Sequence, residues 1–279
     1  MEKSKILYVT QEIDPFLIES EISSLVRKVA QGVHESDKEI RIFMPRFGVI
    51  NERRHQLHEV IRLSGMNLII DDIDHPLIIK VASIQQARMQ VYFIDNEEYF
   101  KRKSLYHDPE GQIHADNDER MIFFCRGVLE TVKKLGWSPD VIHCHGWLTG
   151  LVPLYLKTLY KDDPIFANSK VVYSTYENDM KGNLDKNLSK KILFDDISPE
   201  AVEAIKKPTF NNVNILAMQH ADAIIKGQKS YSPELEKAFE AFEKPILEWD
   251  QEDDYMDAYA DFYDSIVDVE SSIFADWIN

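Results

Sequence analysis

Three stretches concentrate the residues able to do chemistry. Residues 143–147 read His-Cys-His-Gly-Trp, residues 174–177 read Ser-Thr-Tyr-Glu, and residues 11–21 carry Glu12, Asp14, Glu19 and Glu21 without a glycine. Histidines two apart on a strand share a face, so His143 and His145 could offer two imidazoles to a metal. No third ligand is evident, and the plainer reading is that they satisfy backbone at a strand end, with His145 also able to donate to a sugar hydroxyl. Cys144 points to the opposite face from both, which argues for a structural thiol and against a thiol–imidazole pair. Ser174, Thr175, Tyr176 and Glu177 suit sugar or peptide contacts but form no nucleophile–base pair. The 11–21 stretch is the reverse of a phosphate cradle, which needs close backbone approach, free N–H groups and no competing negative charge. Neither GxGxxG nor GxxxxGK[ST] occurs in the chain. No metal or cofactor is called for.

These residues need strand ends to hold them. Short apolar runs at 5–13, 39–47, 139–147, 170–178 and 222–228 read as strands, and helical spacing marks 19–34, 117–135, 148 to about 160, 209–221 and 232–244. Gly136 supplies the stop signal after the second of these helices. Segments 76–84 and 88–96 alternate about a polar link and read as a hairpin. Strands alternating with helices imply an α/β fold, a mainly parallel sheet covered on both faces. A site then belongs in the loops after the strands at 5–13, 139–147, 170–178 and 222–228.

Composition removes other classes. The 279 residues are 44% hydrophobic with two cysteines and a net charge of −16, which excludes a disulfide scaffold. Residues 233–279 hold 15 acids against Lys237 and Lys244, a balance that repels nucleic acid. No apolar run is long enough to span a membrane and no secretory leader pattern opens the chain, so a cytoplasmic protein is expected. Within 245–279, Tyr255, Tyr259, Phe262, Ile266, Val269, Ile273 and Trp277 recur every three or four residues and predict an amphipathic helix. Asp250, Glu252, Asp253 and Asp254 sit near its N-terminus, where the helix dipole favours acids. Its apolar face either packs on its own chain or docks a protein partner.

The segments ILYVTQEIDPF, IRIFMPRFG, 91–111, 116–156 and ADAIIKGQKSYSPEL, in that order, resemble the N-terminal domain of bacterial glycogen and starch synthases. The resemblance runs from about residue 4 to 240. It implies the Rossmann-like first half of a GT-B fold, residues 1–244, with 245–279 resembling the last helix that a GT-B chain sends back across this half. It also implies retaining, metal-free glucosyl transfer from ADP-glucose to an α-1,4-glucan, with the glucan held mainly by this half. Tyr92, Tyr99 and Phe100 are candidate sugar-contacting aromatics, although aromatics at strand ends are more often core.

Against that family the chain departs at the site. The family's Lys-Thr-Gly-Gly-Leu donor loop is Ile18-Glu19-Ser20-Glu21-Ile22 here, and only Glu12 remains of the preceding Ser-Glu. His-Asp-Trp becomes His145-Gly146-Trp147, which keeps the catalytic-site histidine position and the tryptophan. His-Asn becomes Tyr176-Glu177, and Val-Ser becomes Gly227-Gln228. No second Rossmann-like domain is expected within this chain. Two functions follow as expectations: a synthase-like glucan protein not competent for transfer by itself, or a non-catalytic interaction protein on the same scaffold.

Overall fold

The computed structural model describes residues 3–177, 182–193, 197–249 and 255–275, except the side chains of Tyr255 and residues 268–275. The chain opens with β1 (Lys5–Thr10), α1 (Glu21–Glu35), β2 (Glu39–Pro45), α2 (Glu52–His55) and β3 (His58–Glu59). It continues through β4 (Met66–Ile70), β5 (Ile73–Ile84), β6 (Met89–Asp95), α3 (Glu97–Phe100), α4 (Asn117–Leu135), β7 (Val141–His145) and α5 (Leu151–Lys157). It closes with β8 (Lys170–Thr175), α6 (Leu188–Leu193), α7 (Phe210–His220), β9 (Ala223–Lys226), α8 (Pro233–Glu240), β10 (Ile246–Leu247) and α9 (Tyr255–Ala275).

The sheet order is β10-β9-β8-β7-β1-β2-β6-β5-β3, with β4 paired to β5 off that path. Strands β10 through β6 run parallel, and β5 joins β6 antiparallel as the expected hairpin. From β1 the chain builds outward through β2 and later returns to place β7 on the other side. The loops after β1 and β7 therefore diverge, which opens a crevice at the strands' carboxyl ends. The strands read as continuous apolar runs because helices cover both faces: Ile6–Val9 and Val141–His145 are all fully buried.

Element ends differ from the sequence reading where one buried residue extended an apolar run. Ile13 is buried, yet β1 stops at Thr10, whose hydroxyl donates to the Glu12 carbonyl at 2.8 Å and turns the chain. The helix expected from 148 to about 160 opens with a 3-10 turn at Trp147–Thr149 and ends at Lys157. Strands β3, β4 and β10 and helix α6 lacked a strong enough period to be read.

Helix α9 lies across the sheet face that carries Tyr8, His143 and Ser174. Tyr259, Ala260, Tyr263 and Ile266 are buried there, at 5%, 7%, 0% and 6% exposure. The stripe is thus centred on Tyr263, which the sequence pattern passed over, while Phe262 is only half-buried. The Tyr263 hydroxyl meets His143 Nδ1 at 2.6 Å and donates to the Tyr8 hydroxyl at 3.3 Å, and Lys38 Nζ pairs with Asp264 at 2.5 Å. On the same face, one turn before Ala260, Met256 packs against Gly32 of α1. Burying a large side chain contributes ~1.5–3 kcal/mol, so Tyr259, Tyr263 and Ile266 give the helix a self-sufficient seat on its own chain. The side chains of Tyr255, Val269 and Ile273, and residues Trp277, Asp250, Glu252, Asp253 and Asp254, lie outside the described set. Among the described residues no helix is long and apolar enough to cross a membrane.

Candidate functional site

The crevice beside β1 and β7 is a cleft of about 560 Å³ lined by Glu12, Leu17, Glu19 and Ser20 after β1, Gly146 and Trp147 after β7, and Tyr176 and Glu177 after β8. Leu105, Tyr106, His107 and Gly111 form its remaining wall, and no described residue of α9 lines it. Three loops far apart in sequence thus meet at one place because their strands are neighbours in register: Thr10 pairs with His145 and His145 with Ser174.

The first loop is held by its own carboxylate. Glu12 is 2% exposed, and its Oε2 accepts the backbone N–H groups of Glu19 at 2.8 Å and Ser20 at 3.0 Å, while its Oε1 accepts the Ser20 hydroxyl. Ser20 in turn caps α1 by accepting from the Ile22 N–H at 3.2 Å. The Glu19, Ser20 and Ile22 amides, groups that would otherwise face an anion, are thus committed internally. Burial, with Glu12 as second cause, pushes the Glu19 carboxyl above its ordinary range. Ile18 points into solvent at 62% exposure and Glu21 lines a separate groove with Lys28, Lys226 and Tyr259. Neither joins the cleft, because α1 begins at Glu21 and carries it round the other side.

His145 is fully buried one layer beneath the cleft floor. Its Nδ1 meets the Tyr176 hydroxyl at 2.9 Å, and its ring stacks on Tyr8 and lies 3.8 Å from His143 between centroids. Burial pushes its pKa down to about 3. His143 is likewise lowered well below its ordinary value, by burial and then by its neighbour His145; its two nitrogens meet Tyr263 and the Ser174 hydroxyl, the latter at 2.7 Å. Both imidazoles are therefore neutral at physiological pH. Among the described residues no group of three potential ligands could hold a metal. Cys144 is buried on the opposite face, with its thiol pushed well up by burial. Tyr176, at 8% exposure, stands between His145 and the cleft.

The two departures after β8 and β9 touch each other. A Cβ on Gly227 would lie 2.3 Å from the Tyr176 ring, so only glycine leaves room for that ring. Beside it, the Glu177 N–H donates to Gln228 Oε1 at 2.9 Å, and Glu177 Oε2 accepts the Ser232 N–H at 2.7 Å. The replacements form one repacked unit. Gly227→Val should cost ~2 kcal/mol or more through overpacking, and adding Tyr176→His should recover most of that loss. A double-mutant cycle in urea reads the coupling; a Gly227→Val variant as stable as the parent would contradict this packing.

Sequence reasoning missed Tyr106 and His107 as wall residues. They lie within the 91–111 stretch, but nothing in their spacing marked them; α4 puts them there through Asn117 Nδ2, which donates to the Tyr106 carbonyl at 2.9 Å, and Arg120, which donates to the Leu105 carbonyl at 2.5 Å. Tyr106 packs edge-on to Trp147 at 5.2 Å. Of the two readings open for Tyr92, Tyr99 and Phe100, sugar contact and core, the structure has core: they are 7%, 2% and 0% exposed and absent from the cleft lining. Gly146, with φ +84°, brings the backbone under Gln11, whose Oε1 would sit 2.2 Å from any Cβ there.

A parallel sheet with a carboxyl-end cleft, covered by a returning C-terminal helix, defines a Rossmann-like half of a GT-B protein. Residues 5–246 match the starch synthase catalytic domain family, and the chain belongs to that family. It is 38% identical over 234 residues to a glycogen synthase of Chlorobium limicola and 38% identical over 234 residues to one of Chlorobaculum tepidum, covering 83% of this chain and 47% of each relative. The chain thus spans about half the length of the curated relatives it matches. In fold it is similar to the catalytic domain of starch synthase IV from Arabidopsis thaliana bound to ADP and acarbose, with TM-score 0.70 at 14% identity over 88% of this chain and 51% of that one.

Proposed function

We propose that this glycogen and starch synthase-like domain binds α-glucan in its strand-end cleft and does not take up the ADP-glucose donor with its own loop. The observation that carries this reading is the state of the 12–21 turn: the Glu19 and Ser20 amides are tied to the retained Glu12, Ile18 stands in the lysine position facing solvent, and among the described residues the cleft lining contains no lysine or arginine. A diphosphate there meets Glu12, Glu19 and Glu177 with no compensating cation among the described lining residues. Trp147, Tyr106 and Tyr176 provide an aromatic surface on which a neutral sugar can lie. Residues Glu12, Glu19, Ser20, Trp147, Tyr176 and Glu177 are the proposed binding set, with His145 positioning Tyr176 from beneath.

The test is co-sedimentation with glycogen alongside incubation with labelled ADP-glucose. The expected outcome is that the protein pellets with the polymer and incorporates no label. Failure to pellet, or label incorporation by this chain alone, would overturn the reading.

A further inference from the structure

The loop after β1 divides two concavities of opposite character. Leu17, Glu19 and Ser20 line the strand-end cleft on one side, whereas Phe16 lines a second cavity, of about 490 Å³, on the other. Arg54 and His55 of α2, His58 of β3, Gln85 after β5 and Gln90 of β6 also wall that second cavity, and no aspartate or glutamate is among its described lining residues. In a chain of net charge −16 such a wall requires the nearby acids to be turned elsewhere, and they are. Glu59 sits opposite Lys80 in the β3–β5 register, so strand alternation puts both on the face away from His58 and Val81. Glu52 and Asp95 pair with Arg46 and with that same Lys80, and Asp14 acts on the charge of Arg27 in α1. The cations of the cavity stay unmatched. The Arg54 guanidinium makes no hydrogen bond or ion pair among the described residues. After burial, its charge is what lowers the pKa of His55, whose ring packs on Phe16 at 5.1 Å between centroids. Gln90 Oε1 accepts the Tyr92 hydroxyl at 2.8 Å, which leaves its amide NH2 end to donate.

We propose that this second cavity binds a sugar phosphate, with the phosphate monoester against Arg54, His55 and His58 and the hydroxylated body against Gln85 and Gln90. The planar fork of Arg54 matches two phosphate oxygens, and the anion cancels the repulsion that Arg54 imposes on His55. A monoester offers three oxygens to three donor side chains, where a carboxylate offers two. The glutamine amides both give and accept hydrogen bonds, as sugar hydroxyls require. The volume lies within the ~300–1,000 Å³ usual for small-molecule sites. None of these residues belongs to the strand-end cleft, so the site stands independently of glucan binding there.

The experiment is an NMR titration of the full chain at low salt, following the His55 and His58 ring resonances. The ligands are ribose 5-phosphate, inorganic phosphate and ribose. Ribose 5-phosphate is expected to give saturable shifts of both histidines at millimolar concentration, ribose none, and inorganic phosphate binding weaker by roughly threefold, since it lacks the hydroxylated body. Arg54→Gln should weaken the ester about tenfold or more with an unchanged urea midpoint, because this guanidinium holds nothing in the fold. Arg53→Gln, exposed beside it but outside the lining, should change the affinity less than about twofold. No saturable shift with the ester, or equal weakening by the two arginine variants, would overturn the proposal. Inorganic phosphate binding as tightly as the ester would overturn the assignment of a sugar body.

Discussion

Grafting Lys-Thr-Gly-Gly onto positions 18–21 (I18K, E19T, S20G and E21G together) raises this chain's affinity for ADP-glucose by about a hundredfold or more. One hydrogen bond to a charged group is worth ~1.5–3 kcal/mol, and the graft supplies a lysine while removing two carboxylates at the start of α1, whose dipole then favours the anion. The glycines also allow the backbone to approach a phosphate closely. Glu12 is kept, as it is in the family, so the graft isolates the part of the turn that differs. Isothermal titration of the parent and the grafted chain checks it. A graft that folds but binds ADP-glucose no better than the parent would show that the turn is not what excludes the donor.

Acid destabilises the fold well before ordinary carboxylate protonation would. His143 and His145 are fully buried, with pKa values lowered from the ordinary 6.5, to about 3 for His145 and well below 6.5 for His143. The unfolded chain binds those two protons near pH 6.5 and the folded chain does not. Their contribution to stability is therefore full above that value and declines as pH falls towards the folded pKa. Each costs ~1.4 kcal/mol per pH unit in that window. Asp118 works the other way: burial raises it to about 6, so between that pH and 5 it regains ~1.4 kcal/mol, about a third of what the two histidines lose. The net loss by pH 5 is about 3 kcal/mol, a large share of the ~5–15 kcal/mol that holds a typical domain together. Urea titrations at pH 7 and pH 5 read it directly. Equal midpoints and slopes at the two pH values would contradict the buried, neutral state of the pair.

The location of the cleft is legible in the sequence in part, because the rule that ligands sit at the carboxyl ends of parallel strands depends only on strand order: the loops after β1, β7 and β8 line it, while the loop after β9, expected there too, contributes no lining residue among the described residues. The sequence does not reveal which loop residues turn inward. Glu21 leaves the cleft because α1 starts there and turns successive side chains by about 100°, which returns Ile22 to the lining, while Ile18, ahead of the helix, stands in solvent. Tyr99 and Phe100 look like sugar platforms by type, yet the hydrogen bond from the Tyr99 hydroxyl to Glu119 at 3.0 Å and the contact of Phe100 with Phe47 place them in the core. Tyr263 escaped notice because a strict three-or-four stepping from Tyr259 ran through Phe262, and only the buried imidazole beneath explains why a tyrosine is centred there. The fit of Tyr176 into the space left by Gly227 is a contact across 51 positions, and no local pattern carries such information.

The most direct measurement is calorimetric titration of the unaltered chain, in parallel, with ADP-glucose and with a maltooligosaccharide. Saturable heat with the maltooligosaccharide and none with ADP-glucose at millimolar concentration is the predicted result. ADP-glucose saturating the chain at micromolar concentration would contradict the claim that a turn tied to its own carboxylate excludes the donor.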